Sequence, residues 1–378
     1  MAFSHYIRSG QKQLRCGYTT GTCAALAASA AASLLLSGSA PKSVSLITAK
    51  GIPVEVPVAR SGWDGQTAWC SVIKDAGDDA DVTDGIEIVA AAARTDIIDV
   101  TIEGGPGVGR VTKPGLDQPV GAAAINRVPR QMIIEAVEAV CRQSAYTGGI
   151  AVTISVPEGE AIASRTFNPK IGIAGGISIL GTSGIVEPMS ERAIVDTIQL
   201  ELHQARLGSA DVILTPGNYG QSFLHQSGLD ALGVPIVTVS NFIGEALDIA
   251  AEQQFQRVLL VGHIGKLIKL AGGIMNTHSK WADCRTELFC AHAAVCGASQ
   301  SICTALMDAA TTDTCLSILD EAGLRGPVMA RILDAVQSHL THRAADVYEV
   351  GAVLFSNEFG LLGSTACAEE ILKRWRKE

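Results

Sequence analysis

The sequence predicts an α/β protein with an N-terminal α+β domain over residues 1–170 and a Rossmann-like, doubly wound α/β domain over residues 171–378. Two observations predict this architecture. The chain has 378 residues, more than one hydrophobic core usually organises. Its second half alternates short apolar runs with helical patterns, whereas its first half contains mostly short strand patterns separated by Gly, Pro and Asp turns.

The apolar runs of the second half lack polar alternation, which is typical of strands buried on both faces of a parallel sheet. A helix is predicted after Pro188 and Ser190, because Ile194, Ile198 and Leu202 form one apolar stripe. Strands are predicted at residues 177–180, 212–215, 236–239, 258–261 and 351–355, with helices between them, consecutive helices over 282–343 and a last basic helix after 355.

The first half begins with an Ala-rich apolar stretch, residues 24–36, which is shorter than the roughly 18 to 20 residues that a bilayer requires. It is therefore interpreted as a buried helix. Strands are predicted at residues 44–47, 54–58, 68–73, 100–102 and 152–156, and helices near 85–94 and 129–143. The domain boundary is expected at the turn-rich stretch 167–176, where the pattern changes.

Composition excludes several classes of function. A net charge of −9 argues against nucleic acid as a partner, because nucleic-acid binding requires a basic face. The N-terminus has no secretory signal pattern, and no apolar run spans a bilayer, so a cytoplasmic protein without a membrane partner is expected. None of the ten cysteines forms a C-x-x-C pair, so buried thiols are expected rather than a metal site.

Two polar segments near the N-terminus are candidates for ligand contact. Thr19 and Thr20 precede the Ala-rich helix, so its free N–H groups could hold an anion, or one threonine could simply be the N-cap. The acidic run 75–84 does not fit a calcium loop and is typical of a solvated turn. Its packed carboxylates leave open a base for proton removal, with Asp78 and Asp79 as candidates.

A glycine-rich segment, residues 104–115, combines a permissive backbone with Arg110 and Lys113. Glycines allow close approach of the backbone to a ligand, and the two cations would attract an anionic one. The alternative is a plain hairpin turn, which needs fewer glycines. The segment is interpreted as a ligand-facing loop.

The second half contains loops that follow predicted strands and should therefore share the ligand-binding edge of the sheet. Two of them are candidates for ligand contact, through Gly181, Thr182, Ser183, Gly184, Thr215, Gly217, Asn218 and Tyr219. An amide at 218 can hydrogen-bond a polar ligand group, and an aromatic ring at 219 can stack on a flat ligand or face a cation.

A third loop follows the strand at 258–261 and carries cationic and polar side chains. It departs from the phosphate-binding Walker pattern, because only two residues separate its glycines and Leu267 follows the lysine. Anionic-ligand contact is expected from Lys266, Lys269, His278, Ser279 and Lys280, and His263 is a candidate acid or base.

Eight collinear segments resemble the CbiD family of cobalt-precorrin-5B C1-methyltransferases. They are residues 14–25, 74–83, 107–116, 124–130, 175–190, 214–220, 262–266 and 276–280. Cys16, Asp84 and the pair Ala122–Ala123 depart from the residues that the family more often has. These departures concern local turns and leave the resemblance intact.

The resemblance implies S-adenosyl-L-methionine as the methyl donor and a cobalt-corrinoid as the small-molecule acceptor. With that donor, the loops at 181–184 and 215–219 are the candidates for cofactor binding, because Asn218 could bind a ribose or carboxylate and Tyr219 could stack on adenine or face the sulfonium. It implies that the metal arrives inside the substrate. The acetate and propionate groups of such a substrate would be met by basic side chains, among them Arg15, Arg110, Lys113, Lys266, Lys269 and Lys280. Two rival functions remain open: a corrinoid carrier without catalysis, and a nicotinamide-dependent reductase.

Overall fold

A computed structural model describes residues 3–9 and 11–376 and divides the chain into two units, Met1–Ser190 and Glu191–Glu378. The division falls about twenty residues later than the expected boundary at 170/171. The reason is that residues 173–186 form three short strands that pair with N-terminal strands rather than beginning the second unit. The mixed α/β composition expected from the sequence is confirmed.

The described strands of the first unit are mostly short. They are β1 (Tyr6–Ser9), β2 (Lys12–Arg15), β3 (Gly17–Tyr18), β4 (Ser43–Ile47), β5 (Pro53–Pro57), β6 (Arg60–Trp63), β7 (Thr67–Ile73), β8 (Glu87–Thr95), β9 (Val100–Gly104), β10 (Gly107–Val108), β11 (Arg110–Val111), β12 (Gly149–Ser155), β13 (Ile173–Ala174), β14 (Gly176–Ile177) and β15 (Ile185–Val186). The helices are α1 (Thr20–Ser37), α2 (Arg127–Gln143), α3 (Gly159–Ala163) and α4 (Asn168–Ile171).

A five-stranded sheet in the order β6-β7-β8-β12-β9 forms the centre of this unit, antiparallel except for the β9–β12 pair. Helix α1 packs on β7 and β8 and against α2. Its alanines allow close packing, and Gly21 lies so near α2 that a Cβ there would be 2.7 Å from Pro129 Cγ. Although α1 is long and apolar enough to cross a membrane, 78% of it is buried in the core of this unit.

The predicted helix at 85–94 is wrong, because this segment is strand β8. Its alanine-rich sequence favours a helix by propensity, but Ile88, Ala90 and Ala92 are buried in strict alternation. Pairing with β7 on one side and β12 on the other supplies every ladder partner, so tertiary context overrides the helical propensity.

The second unit alternates strands and helices. Its described strands are β16 (Asp211–Thr215), β17 (Ile236–Thr238), β18 (Arg257–His263), β19 (Glu349–Ser356) and β20 (Gly360–Ser364). Its helices are α5 (Glu191–Gly208), α6 (Asn218–Gln226), α7 (Ile243–Glu252), α8 (Ile264–Leu267), α9 (Arg285–Val295), α10 (Gln300–Met307), α11 (Thr312–Glu321), α12 (Arg325–Ala344) and α13 (Ala366–Trp375), with 3₁₀ turns at Leu229–Leu232 and Ile268–Gly272.

The sheet of this unit has the order β17-β16-β18-β19-β20, with four parallel strands and the antiparallel edge strand β20, which the sequence did not predict. Alternate residues of β16 lie in different cores. Val212 and Leu214 pack with α5, α7 and the helices after β18, whereas Ile213 packs with α6 and α13. Both faces are therefore covered by helices, which explains the absence of polar alternation in the strands.

Candidate functional site

The candidate site is the carboxyl edge of the parallel sheet at the point where the strand order reverses, here called the crevice. From β16 the chain moves to β17 on one side, and then crosses to β18 on the other side of β16. The loops that follow β16 and β18 therefore turn away from each other. Open α/β sheets bind ligands where the strand order reverses in this way, outside the carboxyl ends of the strands.

The loop after β16 is shaped by two glycines. Gly217 has φ +147°, which strongly favours glycine, and open space where a side chain would be. Gly220 lies against the strand end, since a Cβ there would be 1.6 Å from Thr215 Oγ1. Helix α6 thus begins directly above β16 without a side-chain cap, with Asn218 and an exposed Tyr219 in its first turn.

His263 is the last residue of β18 and caps α8, which follows directly. The backbone N–H of Gly265 can only donate, so Nδ1 of His263 accepts it at 3.0 Å and the proton of the neutral ring lies on Nε2. Burial lowers the pKa of His263, while Asp313 acts in the opposite direction. Neither ring nitrogen has a free lone pair in this arrangement, so His263 is a hydrogen-bond donor rather than the base considered from the sequence.

The loops of the crevice are connected to one another. The ring of Tyr219 lies 6.2 Å from that of His263. Lys266 Nζ donates to Pro216 O at 3.0 Å and to Ser240 O at 3.5 Å, which joins the loops after β16 and β17. Burial, and secondarily the charge of Lys269, lower the pKa of Lys266. Lys266 therefore holds the crevice together, besides any attraction it exerts on an anion.

Lys269 was expected to face an anionic ligand, and its placement contradicts that expectation. The side chain is buried, and Nζ donates to Thr277 O at 3.1 Å and Ala282 O at 2.8 Å. Asp283 lies 3.8 Å from the ammonium. A buried ammonium needs such oxygen partners, and here they fix the segment that follows the crevice.

The predicted segment around His278 forms an exposed loop, residues 276–283, here called the anchored loop. His278, Ser279 and Lys280 are exposed. His278 Nδ1 accepts the backbone N–H of Lys280 at 3.1 Å. Lys280 Nζ pairs with Glu191 and lies 5.2 Å from the ring centre of Trp281.

The threonines before α1 do not form an anion site. Thr19 is the N-cap, and its Oγ1 accepts the N–H of Thr22 at 3.2 Å, so the alternative of an ordinary cap is the correct one. Both Thr19 and Thr20 are buried. The N–H of Gly21 donates to Leu180 O at 3.0 Å, which closes the helix end with the chain's own backbone.

The second predicted cofactor loop also lies in the first unit, over the start of α1. Gly184 O accepts hydrogen bonds from Thr19 N and from Thr22 Oγ1. A Cβ at Gly181 would be 2.2 Å from Thr19 Oγ1. Thr182 is exposed, and Ser183 Oγ bonds Ile185. The expectation that residues 181–184 line the edge of the parallel sheet is wrong, because the preceding strand, β14, pairs with β10.

The acidic run 75–84 stabilises turns of the first unit. Asp78 accepts the backbone N–H of Arg15 at 2.7 Å, and Asp79 accepts that of Met189 at 3.0 Å. The Arg15 guanidinium binds both oxygens of Asp75, at 2.5 and 2.8 Å, and holds the pKa of that carboxyl below its usual range. These contacts give each of the three carboxylates a partner within the first unit. The charge of Arg15, which was expected to meet an anionic ligand, is paired with Asp75.

The glycine-rich segment 104–115 uses its glycines for close packing of the backbone. A Cβ at Gly107 would be 1.8 Å from Val156 O. Arg110 donates to Glu103 at 2.8 Å and to Gly104 O at 2.9 Å, and Lys113 Nζ to Lys170 O at 3.4 Å. Both cations are exposed.

Two residues important to the site were not singled out from the sequence. Trp281 directly follows the predicted polar segment, and it is 62% exposed. A tryptophan beside a polar cluster, among only four in the chain, was a signal that could have been used. Asn241, which holds the anchored loop through Thr277, had no distinguishing pattern. No group of three or more metal-ligating side chains occurs within residues 3–9 and 11–376.

The fold defines a class: an α/β protein whose second unit has a mostly parallel sheet covered by helices on both faces. Comparison with known proteins is more specific. The CbiD family matches residues 7–188, and the CbiD C-terminal domain matches residues 276–366. The chain belongs to the CbiD family.

Two relatives cover nearly the whole chain. A cobalt-precorrin-5B C(1)-methyltransferase of Ruminiclostridium cellulolyticum is 48% identical over 354 residues, which is 93% of this chain and 91% of the relative. One of Alkaliphilus metalliredigens is 40% identical over 374 residues, 99% and 98% of the two chains. The crystal structure of the cobalamin biosynthesis protein cbiD from Archaeoglobus fulgidus has a TM-score of 0.41 and 29% identity, covering 74% of this chain and 87% of that one.

Proposed function

We propose that the protein is an S-adenosylmethionine-dependent methyltransferase that methylates C1 of cobalt-precorrin-5B in anaerobic cobalamin biosynthesis, giving cobalt-precorrin-6A. The observation that carries this proposal is near full-length similarity to relatives of that name, at 48% and 40% identity. The acceptor is a cobalt-corrinoid, so the cobalt belongs to the substrate. Free cysteines throughout the chain suit the reducing cytoplasm.

The residues of the crevice fit the methyl donor. Its Rossmann-like setting places an uncapped helix start, with the N–H groups of Asn218 and Tyr219, beside the strand end, where a carboxylate or ribose could be bound. Gly217 leaves open space for close approach, and the ring of Tyr219 suits an adenine or a sulfonium. The Nε2–H of His263 adds one directed donor.

S-Adenosylmethionine supplies an electrophilic methyl group, so that a C–C bond to the acceptor forms as the methyl–sulfur bond breaks. The protein's residues bind and align the two molecules and exclude water. Lys266 and the Gly265–His263 hydrogen bond keep the crevice loops in place. Asp78 and Asp79 are occupied by backbone N–H groups, so their part in proton removal remains only a candidate role.

The test is equilibrium binding of S-adenosylhomocysteine to the purified protein and to Asn218→Ala. Loss of one hydrogen bond should weaken binding by about 1 to 2 kcal/mol, roughly five- to thirtyfold, with little change in melting temperature. The matched control is His225→Ala, an exposed position in the last turn of the same helix, which should bind normally.

Two outcomes would contradict the proposal. An Asn218→Ala protein that unfolds early but binds normally when folded would make Asn218 a turn residue only. Absence of S-adenosylhomocysteine binding by the unaltered protein, with and without a corrinoid, would favour a carrier that delivers the intermediate to another methyltransferase.

A further inference from the structure

An exposed tryptophan lies on the anchored loop. Trp281 is 62% exposed, and its neighbours His278, Ser279 and Lys280 are exposed polar side chains. Indole is the largest side chain, and leaving it in water forgoes the stabilisation that its burial would give. Tryptophan combines a large flat apolar face with an N–H donor, which suits contact with a flat ligand that carries polar groups.

The loop presents this ring from a fixed position. The buried Lys269 ammonium binds Thr277 O before the tryptophan and Ala282 O directly after it. The N–H of Trp281 donates to His278 O at 3.0 Å and closes the turn between them. Both ends of the turn are thus fastened to one buried cation, which reduces the entropy lost when a ligand binds.

The loop lies beside the proposed donor crevice within the same unit. Asn241 O accepts the N–H of Thr277 at 3.0 Å, and the Thr277 hydroxyl donates to Asn241 Oδ1 at 3.2 Å. The adjacent Ser240 O accepts the ammonium of Lys266, which also binds Pro216 in the crevice. The loop after β17 therefore touches both the crevice and the anchored loop, as a two-substrate reaction requires.

We propose that the anchored loop is the acceptor platform: the macrocycle of the corrinoid lies against Trp281, and His278 and Lys280 bind its carboxylate groups. This inference rests on the proposed function and names the residues that receive the acceptor. His278 Nδ1 is occupied by the N–H of Lys280, so the outward Nε2 carries the proton. His278 therefore presents a hydrogen-bond donor to a carboxylate.

Glu191 competes with the substrate for the ammonium group of Lys280. It pairs with Lys280, whose Nζ lies 5.2 Å from the Trp281 ring centre. A substrate carboxylate must exchange with this exposed glutamate, and exchange between two exposed carboxylates costs little. Removing the competing charge should consequently strengthen binding of an acidic corrinoid, whereas a purely structural ion pair predicts no gain.

The experiment titrates the protein with cobyrinic acid and, separately, with its fully esterified form, which has the same macrocycle without carboxylate charges. Trp281→Ala should weaken binding of both by about tenfold, and Trp281→Phe by less, because a phenyl ring still offers a flat face. The matched control is Trp63→Ala, a partly exposed tryptophan of the first unit, which should change neither affinity.

Glu191→Gln should strengthen binding of the acid about threefold and leave the affinity for the ester unchanged. Lys280→Gln should weaken binding of the acid and leave the affinity for the ester unchanged. Failure of the unaltered protein to bind either corrinoid, or equal binding by Trp281→Ala and the unaltered protein, overturns the inference. S-Adenosylhomocysteine binding is measured in every variant. Normal S-adenosylhomocysteine binding, together with corrinoid binding that does not depend on Trp281, would refute the acceptor platform alone. Absence of S-adenosylhomocysteine binding by the unaltered protein would refute the proposed function.

Discussion

Two lysines near the crevice, Lys266 and Lys269, are three residues apart in sequence but have different surroundings. Lys266 is half-buried between two loops, with carbonyl oxygens of Pro216 and Ser240 as partners. Lys269 is almost completely buried, and burial lowers its pKa while Asp283 acts in the opposite direction. Its charge serves the anchored loop rather than a ligand.

Lys269→Met should destabilise the protein by about 2 kcal/mol, because the carbonyl oxygens of Thr277 and Ala282 lose their buried donor. Denaturant unfolding measures the change. The control is Lys373→Met, an exposed lysine of α13, for which a change within about 0.5 kcal/mol is expected. Equal effects of the two substitutions would show that the carbonyl contacts contribute nothing specific.

At the scale of single residues, sequence patterns located polar side chains better than they assigned roles to them. Thr19 and Lys269 lie where polar residues were noticed, but both have intramolecular partners. Whether a polar side chain faces a ligand or a carbonyl oxygen depends on contacts such as those of residues 180–184 with α1, which are distant in sequence. Local spacing contains no information on such partners.

Helix α6 owes its position to a contact that only glycine allows. Because a Cβ at Gly220 would be 1.6 Å from Thr215 Oγ1, Gly220→Ala must turn the buried Thr215 side chain or move the helix start away from β16. The expected cost is about 2 to 3 kcal/mol, together with a loss of S-adenosylhomocysteine affinity beyond that of Asn218→Ala. Thermal unfolding and ligand titration measure the two effects.

The control for that substitution is Gly326→Ala in α12, where no atom lies within 4 Å of the added Cβ. Alanine favours helices over glycine, so this variant should be as stable as the unaltered protein or slightly more so. If Gly220→Ala were equally stable, α6 would accommodate a side chain at this position, and the close contact with Thr215 would not fix the helix.

At the scale of elements, prediction succeeded where composition and burial agree. The strands at 212–215 and 258–261 are apolar throughout because both faces are covered. It failed at β8. The strand alternates between buried and partly buried positions, but alanine occupies both kinds of position, so the sequence shows no clear apolar–polar alternation. The short strand β14 was noticed as an apolar run, but its partner in the first unit could not be inferred from a local pattern.

The two units have separate hydrophobic cores. One core contains only residues of the first unit, and two others lie on the faces of the parallel sheet in the second. Ligand binding stabilises the structure that binds it, by about 2.7 kcal/mol at a ligand concentration one hundred times Kd. The effect of a donor analogue should therefore be concentrated in the second unit.

Hydrogen exchange measured by mass spectrometry tests this expectation. Saturating S-adenosylhomocysteine should slow exchange in β16, α6 and β18, and leave β8 and β12 of the first unit unchanged. Protection confined to the first unit would move the donor site away from the crevice and contradict its proposed position.

Helix α1 depends on segments that are synthesised long after it. Thr22 binds Gly184, 162 residues later, and β3 pairs with β15. Ribosomes add roughly 5 to 20 residues per second, so the helix emerges about 10 to 30 s before these partners. During translation the start of α1 therefore lacks the carbonyl groups of Leu180 and Gly184 that accept its N–H and hydroxyl groups, and the nascent chain is exposed to chaperones over that interval.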